Sequence, residues 1–134
     1  MESDIKDKDR ERQEVRKRMG NRMNKRLHIL WTSNNPDTAH LMVFMYAINA
    51  LTKGWWDEVT IIVWGASAKL VAEDESIQDK IHLALHQGVK VSACIACASQ
   101  LGVVDELLAL GLEVIPWGQP LTELMQNGAY ILSV

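Results

Sequence analysis

The chain has 134 residues, 48% of them apolar, which suits one domain with a real core. It holds no run of about 18 apolar residues, which excludes a membrane-spanning helix, and no apolar region opens it, which argues against export. The net charge of −3 hides a split: residues 1–26 carry ten Lys or Arg against six Asp or Glu, and residues 27–134 carry four against eleven. The tail at 1–26 has few apolar side chains (Ile5, Val15, Met19, Met23) and cannot bury a face of its own. It is expected to be disordered or a frayed, solvated helix, outside a single domain at 27–134 and dispensable for its folding. Its intermixed acids argue against nucleic-acid binding.

Within the domain, Leu27–Trp31 reads as a short apolar strand, followed by the polar loop Thr32-Ser33-Asn34-Asn35. Asn35 then precedes Pro36 as an N-cap precedes proline at the first helical position. The helix runs through His40, Leu41, Phe44, Met45, Ile48 and Leu51 at helical spacing, and Lys53-Gly54 closes it. Val59–Trp64 is a second strand, nearly all apolar, as in a strand covered on both faces. Gly65-Ala66-Ser67-Ala68 turns into a broken helical region, Lys69–Ala72 and then Ser76–Gln87, with Glu73-Asp74-Glu75 between them as a solvated run.

The third strand carries both cysteines at its end. Val89, Val91 and Ala93 alternate with Lys90 and Ser92, and from Ile95 small or helix-favouring residues continue to Gly102. Cys94 therefore falls where the strand ends and the helix begins. Unpaired N–H groups and the helix dipole at such a point favour a thiolate, so Cys94 is the expected nucleophile and Cys97 completes a C-x-x-C pair. Unpaired cysteines also pack as small hydrophobes, and inert thiols remain an open alternative. Val103–Leu110 is a further helix, Leu112–Ile115 a fourth strand, Pro116–Pro120 a loop, Thr122–Gln126 a short helix and Ala129–Leu132 a fifth strand.

The alternation of strand and helix predicts an α/β fold, a three-layer α/β/α sandwich on a mostly parallel five-stranded sheet. Ligands in such folds sit at the carboxyl ends of the strands. Asn34, Asn35, Trp64, Gly65, Ser67, Cys94, Ile95, Ala96, Cys97 and Trp117 fall there and are the candidate site residues. His82 and His86, spaced i, i+4, invite a zinc reading with the cysteines. The third strand lies between His86 and Cys94, however, and puts them roughly 20 Å apart, so no metal is expected. No glycine-rich phosphate loop follows the first strand, and no cofactor is expected. Asp105 and Glu106 point to different sides of their helix and do not form a catalytic pair. Trp31, Trp64 and Trp117 near strand ends suit core packing and a pocket equally.

The segment Val91-Ser92-Ala93-Cys94-Ile95-Ala96-Cys97-Ala98-Ser99-Gln100-Leu101-Gly102-Val103-Val104-Asp105-Glu106 resembles the DsrE/DsrF-like family of small sulfur-relay proteins. Gly88-Val89, Trp64-Gly65 and the closing Asn127–Leu132 also resemble it, and the likeness covers about residues 27–134. It implies a five-stranded α/β fold, trimers or hexamers, and a persulfide carried on the cysteine that matches Cys94. Cys97 departs from the carrier pattern, which needs one cysteine. The resulting expectation is a cytoplasmic persulfide carrier. Cys94 accepts sulfur from a donor protein for an acceptor protein, Cys97 resolves or modulates it, and the N–H groups of Ile95 to Cys97 stabilise the thiolate. A non-catalytic oligomeric or small-ligand-binding module and a dithiol–disulfide redox protein are the alternatives.

Overall fold

Along the first strand, β1 (Arg26–Trp31), Leu27, Ile29 and Trp31 are buried while the residues between them are less so, as the two-residue period of a strand requires. The computed structural model describes residues 4–13 and 25–134. β1 pairs with β2 (Glu58–Val63) on one side and β5 (Tyr130–Ser133) on the other. β3 (Lys90–Cys94) and β4 (Glu113–Ile115) extend the sheet past β2, giving the order β4-β3-β2-β1-β5. Every pairing is parallel, so the expected mostly parallel five-stranded α/β sheet is present and wholly parallel.

Helix α1 starts at Pro36–Thr38, passes through a wider π-helical turn at Ala39–Phe44 and ends as Met45–Thr52. The other helices are α2 (Ala66–Glu73), α3 (Glu75–His86), α4 (Ile95–Leu101), α5 (Val104–Ala109) and α6 (Gly118–Gln126). Leu27, Ile29, Trp31, Val59, Ile61, Val63, Val91 and Ala93 pack on one face of the sheet against Val43 and Phe44 of α1, Val71 of α2, Ile77 and Ile81 of α3, Ala98 of α4 and Leu107 of α5. Burial of this apolar surface is the main stabilising term. On the other face Ile62 and Cys94 pack against Trp117 and Leu121. The expected third layer is thus one helix, α6.

Three elements differ from the sequence expectation. α6 begins at Gly118 and not at Thr122. Pro120 lies within its first turn, where a missing N–H costs nothing, so the proline that suggested a loop is compatible with the helix. Asp74 is not merely solvated. Its Oδ1 accepts from the N–H of Ser76 (2.9 Å) and of Ile77 (3.2 Å) and from the Ser76 hydroxyl (2.6 Å), which makes it the N-cap of α3. Those bonds, the Ser76 hydroxyl first, hold its carboxyl below the usual range. The π-helical turn had no sequence signal, because apolar spacing of four or five residues serves either geometry. In the tail, residues 4–13 are helical and exposed throughout, and residues 1–3 and 14–24 lie outside the described residues.

Trp31 is fully buried, edge-on to Phe44 at 5.4 Å between ring centroids, and its indole N–H has no partner among the described residues. Trp31→Ala should destabilise by about 3–5 kcal/mol. Trp31→Phe should cost clearly less, because it also removes an unpaired buried donor. Denaturant midpoints of the two variants check this; equal losses would show that the indole N–H finds a partner after all.

Candidate functional site

The site begins at the end of β3. Cys94 is the last residue of that strand and the N-cap of α4, with φ −75° and ψ 117°, the junction expected from the sequence. Its side chain makes no capping hydrogen bond. Because strand side chains alternate, Ser92 and Cys94 face the α6 side of the sheet while Val91 and Ala93 face the larger core. Cys94 is only 3% exposed, in a cluster with Ile62, Trp117 and Leu121. Cys97, half-buried, packs against the same cluster with Trp64. Both cysteines are free thiols.

Burial pushes the Cys97 thiol up from its ordinary value. The nearby Gly65 backbone N–H lowers it, while the neighbouring Cys94 side chain raises it. Gly65 can present that N–H because it sits at φ 67° and ψ −133°, a conformation open in practice only to glycine. Among the described residues nothing lies within 4 Å of where a Cβ would stand on Gly65, so backbone conformation and not space requires glycine there.

The structure brings Trp64, Gly65, Cys94, Cys97 and Trp117 together around the thiols. Ile95 is half-buried and Ala96 exposed in the first turn of α4. Ser67 is fully buried and is not a rim residue. Its hydroxyl donates to the carbonyl of Trp31 (2.6 Å), lies 3.1 Å from that of Trp64, and accepts from the Trp64 N–H (3.1 Å). Trp117 is 8% exposed, and its indole N–H donates to the Ser92 hydroxyl at 2.7 Å. Asn35 is exposed and caps α1 through the Thr38 N–H (3.0 Å). Asn34 lines a separate cavity of about 350 Å³ with Lys69, Leu70 and Leu101. Sequence reasoning missed Ile62, Leu121 and Ser92. Ile62 and Ser92 could have been found from alternation along β2 and β3, but Leu121 was hidden by the misread start of α6.

Among the described residues no three His, Cys, Asp or Glu side chains are grouped to hold a metal ion. His82 and His86 are exposed on α3, which ends beside the start of β3, while Cys94 ends that strand. No helix among the described residues is long and apolar enough to cross a membrane.

The profile of the DsrE/DsrF-like family matches residues 18–134. The chain belongs to the DsrE/DsrF-like family. Among solved structures it is similar to a conserved protein of unknown function, BT1422 from Bacteroides thetaiotaomicron. The two are 44% identical with a TM-score of 0.81, over 84% of this chain and 97% of that one. MTH1491 from Methanobacterium thermoautotrophicum, also of unknown function, shares the fold at 14% identity and a TM-score of 0.70, over 83% of this chain and 100% of that one. The ychN protein from E. coli shares it at 14% identity and a TM-score of 0.57, over 82% and 98%. No functionally curated protein matches the chain.

Position at an N-cap favours Cys94 as the first thiol to react, but exposure favours Cys97. Iodoacetamide should label Cys97 first in the folded protein, with a pH midpoint above that of a free cysteine, since burial raises its pKa. Peptide mapping against pH checks both statements; a first label on Cys94 would reverse the order.

Proposed function

We propose that this DsrE/DsrF-like protein carries sulfane sulfur on the Cys94–Cys97 pair, with Cys94 as the storage thiol and Cys97 as the thiol a donor meets. What carries this reading is the placement of two free thiols of unequal exposure in one apolar cluster at the end of β3. In the first step the Cys97 thiolate attacks the outer sulfur of a donor persulfide, and the donor leaves as its thiolate. In the second, the Cys94 thiolate attacks the outer sulfur now on Cys97, giving the Cys94 persulfide and the Cys97 thiolate. No electrons are gained or lost in either exchange. The Gly65 N–H stabilises the Cys97 thiolate when it attacks and again when it leaves. Apolar packing by Ile62, Trp64 and Trp117 keeps water and competing thiols from the stored persulfide. If the Cys97 thiolate instead attacks the inner sulfur on Cys94, hydrosulfide leaves and a Cys94–Cys97 disulfide forms, so Cys97 also sets the lifetime of the load. A reducing compartment such as the cytoplasm keeps both thiols free for this role.

Intact mass after incubation with a persulfide donor tests the reading. The wild type should gain one sulfur, Cys94→Ser should hold none stably, and Cys97→Ser should load many-fold more slowly. A wild type that gains nothing would mean inert thiols and favour a binding module. A Cys97→Ser variant that loads as fast as wild type would remove Cys97 from the route.

The functional particle is a homo-oligomer, a trimer or hexamer, in the same proposal. Trp55 and Met45 are more than half exposed and Met42 and Trp56 half-buried, which leaves apolar surface beyond one domain's needs. Sedimentation at micromolar concentration should show a multimer; a monomer-sized particle would refute it.

A further inference from the structure

Two free thiols share the cluster at the end of β3. Its other members are aliphatic side chains and the indoles of Trp64 and Trp117. An indole offers a donor and no lone pair to a metal. No methionine belongs to the cluster, and among the described residues no third His, Cys, Asp or Glu is grouped with the two cysteines. The donor set is therefore two sulfurs in apolar surroundings.

That set decides which ions fit. Zinc takes four protein ligands in structural sites and three in catalytic ones, so it is not satisfied here. Cu(I) is stable with two thiolates in line, and soft thiolates favour it over harder ions. The spacing agrees. Cys94 caps α4 and Cys97 is the third residue of that helix. Side chains three positions apart on a helix have Cβ atoms about 5–6 Å apart. Metal–thiolate bonds are about 2.3 Å, so an ion in line between two sulfurs needs them about 4.6 Å apart. The Cys94 side chain already lies close enough to perturb the Cys97 thiol. Cys94 is buried and Cys97 half-buried, so an incoming ion meets Cys97 first. Apolar packing then keeps water and oxidants from the ion.

We propose that Cys94 and Cys97 form a two-coordinate site for Cu(I), one ion per chain. Two thiols and one Cu(I) give the bis-thiolate complex and release two protons, with no change in oxidation state. The complex carries a single negative charge, which the Gly65 N–H near Cys97 partly offsets. The proposal needs both thiols to be free. It does not rest on the sulfur-carrier reading, which the loading assay tests separately.

Anaerobic titration of the reduced full chain against the coloured bicinchoninate complex of Cu(I) tests this, because colour is lost as copper leaves the dye. The wild type should withdraw one copper per chain. Cys94→Ser, Cys97→Ser and the wild type alkylated with iodoacetamide should each hold copper more weakly by a factor on the order of 100, since losing a ligand costs at least what losing a ligand's partner does. The alkylated chain is folded before it is modified, so a folding defect does not explain its loss. X-ray absorption of the loaded protein should show two sulfur neighbours and no nitrogen or oxygen. Zinc chloride at the same concentration should not bind. A wild type that withdraws no copper would overturn the proposal, as would full withdrawal by Cys97→Ser. A third sulfur around the copper, or zinc held as tightly, would overturn it in favour of a site shared between copies of the chain.

Discussion

The direction in which the sheet is laid down governs the rest of the molecule. β1, β2, β3 and β4 follow one another across the sheet in a single direction, and only β5 returns to the far side of β1. Right-handed crossovers then place α1 to α5 on one face and leave the last crossover, α6, as the main cover of the other among the described residues. One helix of nine residues, about 13 Å long, cannot span five strands about 4.8 Å apart. The second face is therefore divided. It is apolar beneath α6, where the cysteines lie, and charged where α6 does not reach.

That division explains the character of the thiols. The strand-to-helix junction at Cys94 supplies unpaired N–H groups, as thiolate sites use, but α6 lays Trp117 and Leu121 over the same place. Desolvation opposes the charged form of any group under such a lid, and for Cys97 it outweighs the Gly65 N–H. Cys94 is buried and Cys97 half-buried beneath it. Family membership and the similarity to BT1422 agree with this architecture at the level of fold.

Much of the fold was legible because the strands are short, apolar and separated by helices with plain stop signals. Gly102, for example, ends α4 in a left-handed conformation at φ 71°. The junction at Cys94 and the cap at Asn35 followed from local rules of the same kind. Two of the misreadings share one cause: the same residue type serves two local roles. Pro120 reads as a loop residue but fits the first turn of α6, and Asp74 reads as part of a solvated acidic run but caps α3. In the site, Trp64, Gly65 and Trp117 stand beside the cysteines at strand ends. Ser67 belongs to the same turn as Gly65, but periodicity alone could not tell that its hydroxyl faces inward to the strand ends.

Ser67 has a mechanical consequence. Its hydroxyl ties the carbonyl that closes β1 to the backbone just after β2, and the Trp64 N–H adds a 3.0 Å bond to that same carbonyl. The two central strands are clamped at the end where the thiols sit, so this side of the pocket is a fixed anvil. The other wall of the site is the first turn of α4 and the start of α6. There the start of α6 is held to the sheet by the Trp117 indole, which donates to Ser92 of β3 at 2.7 Å.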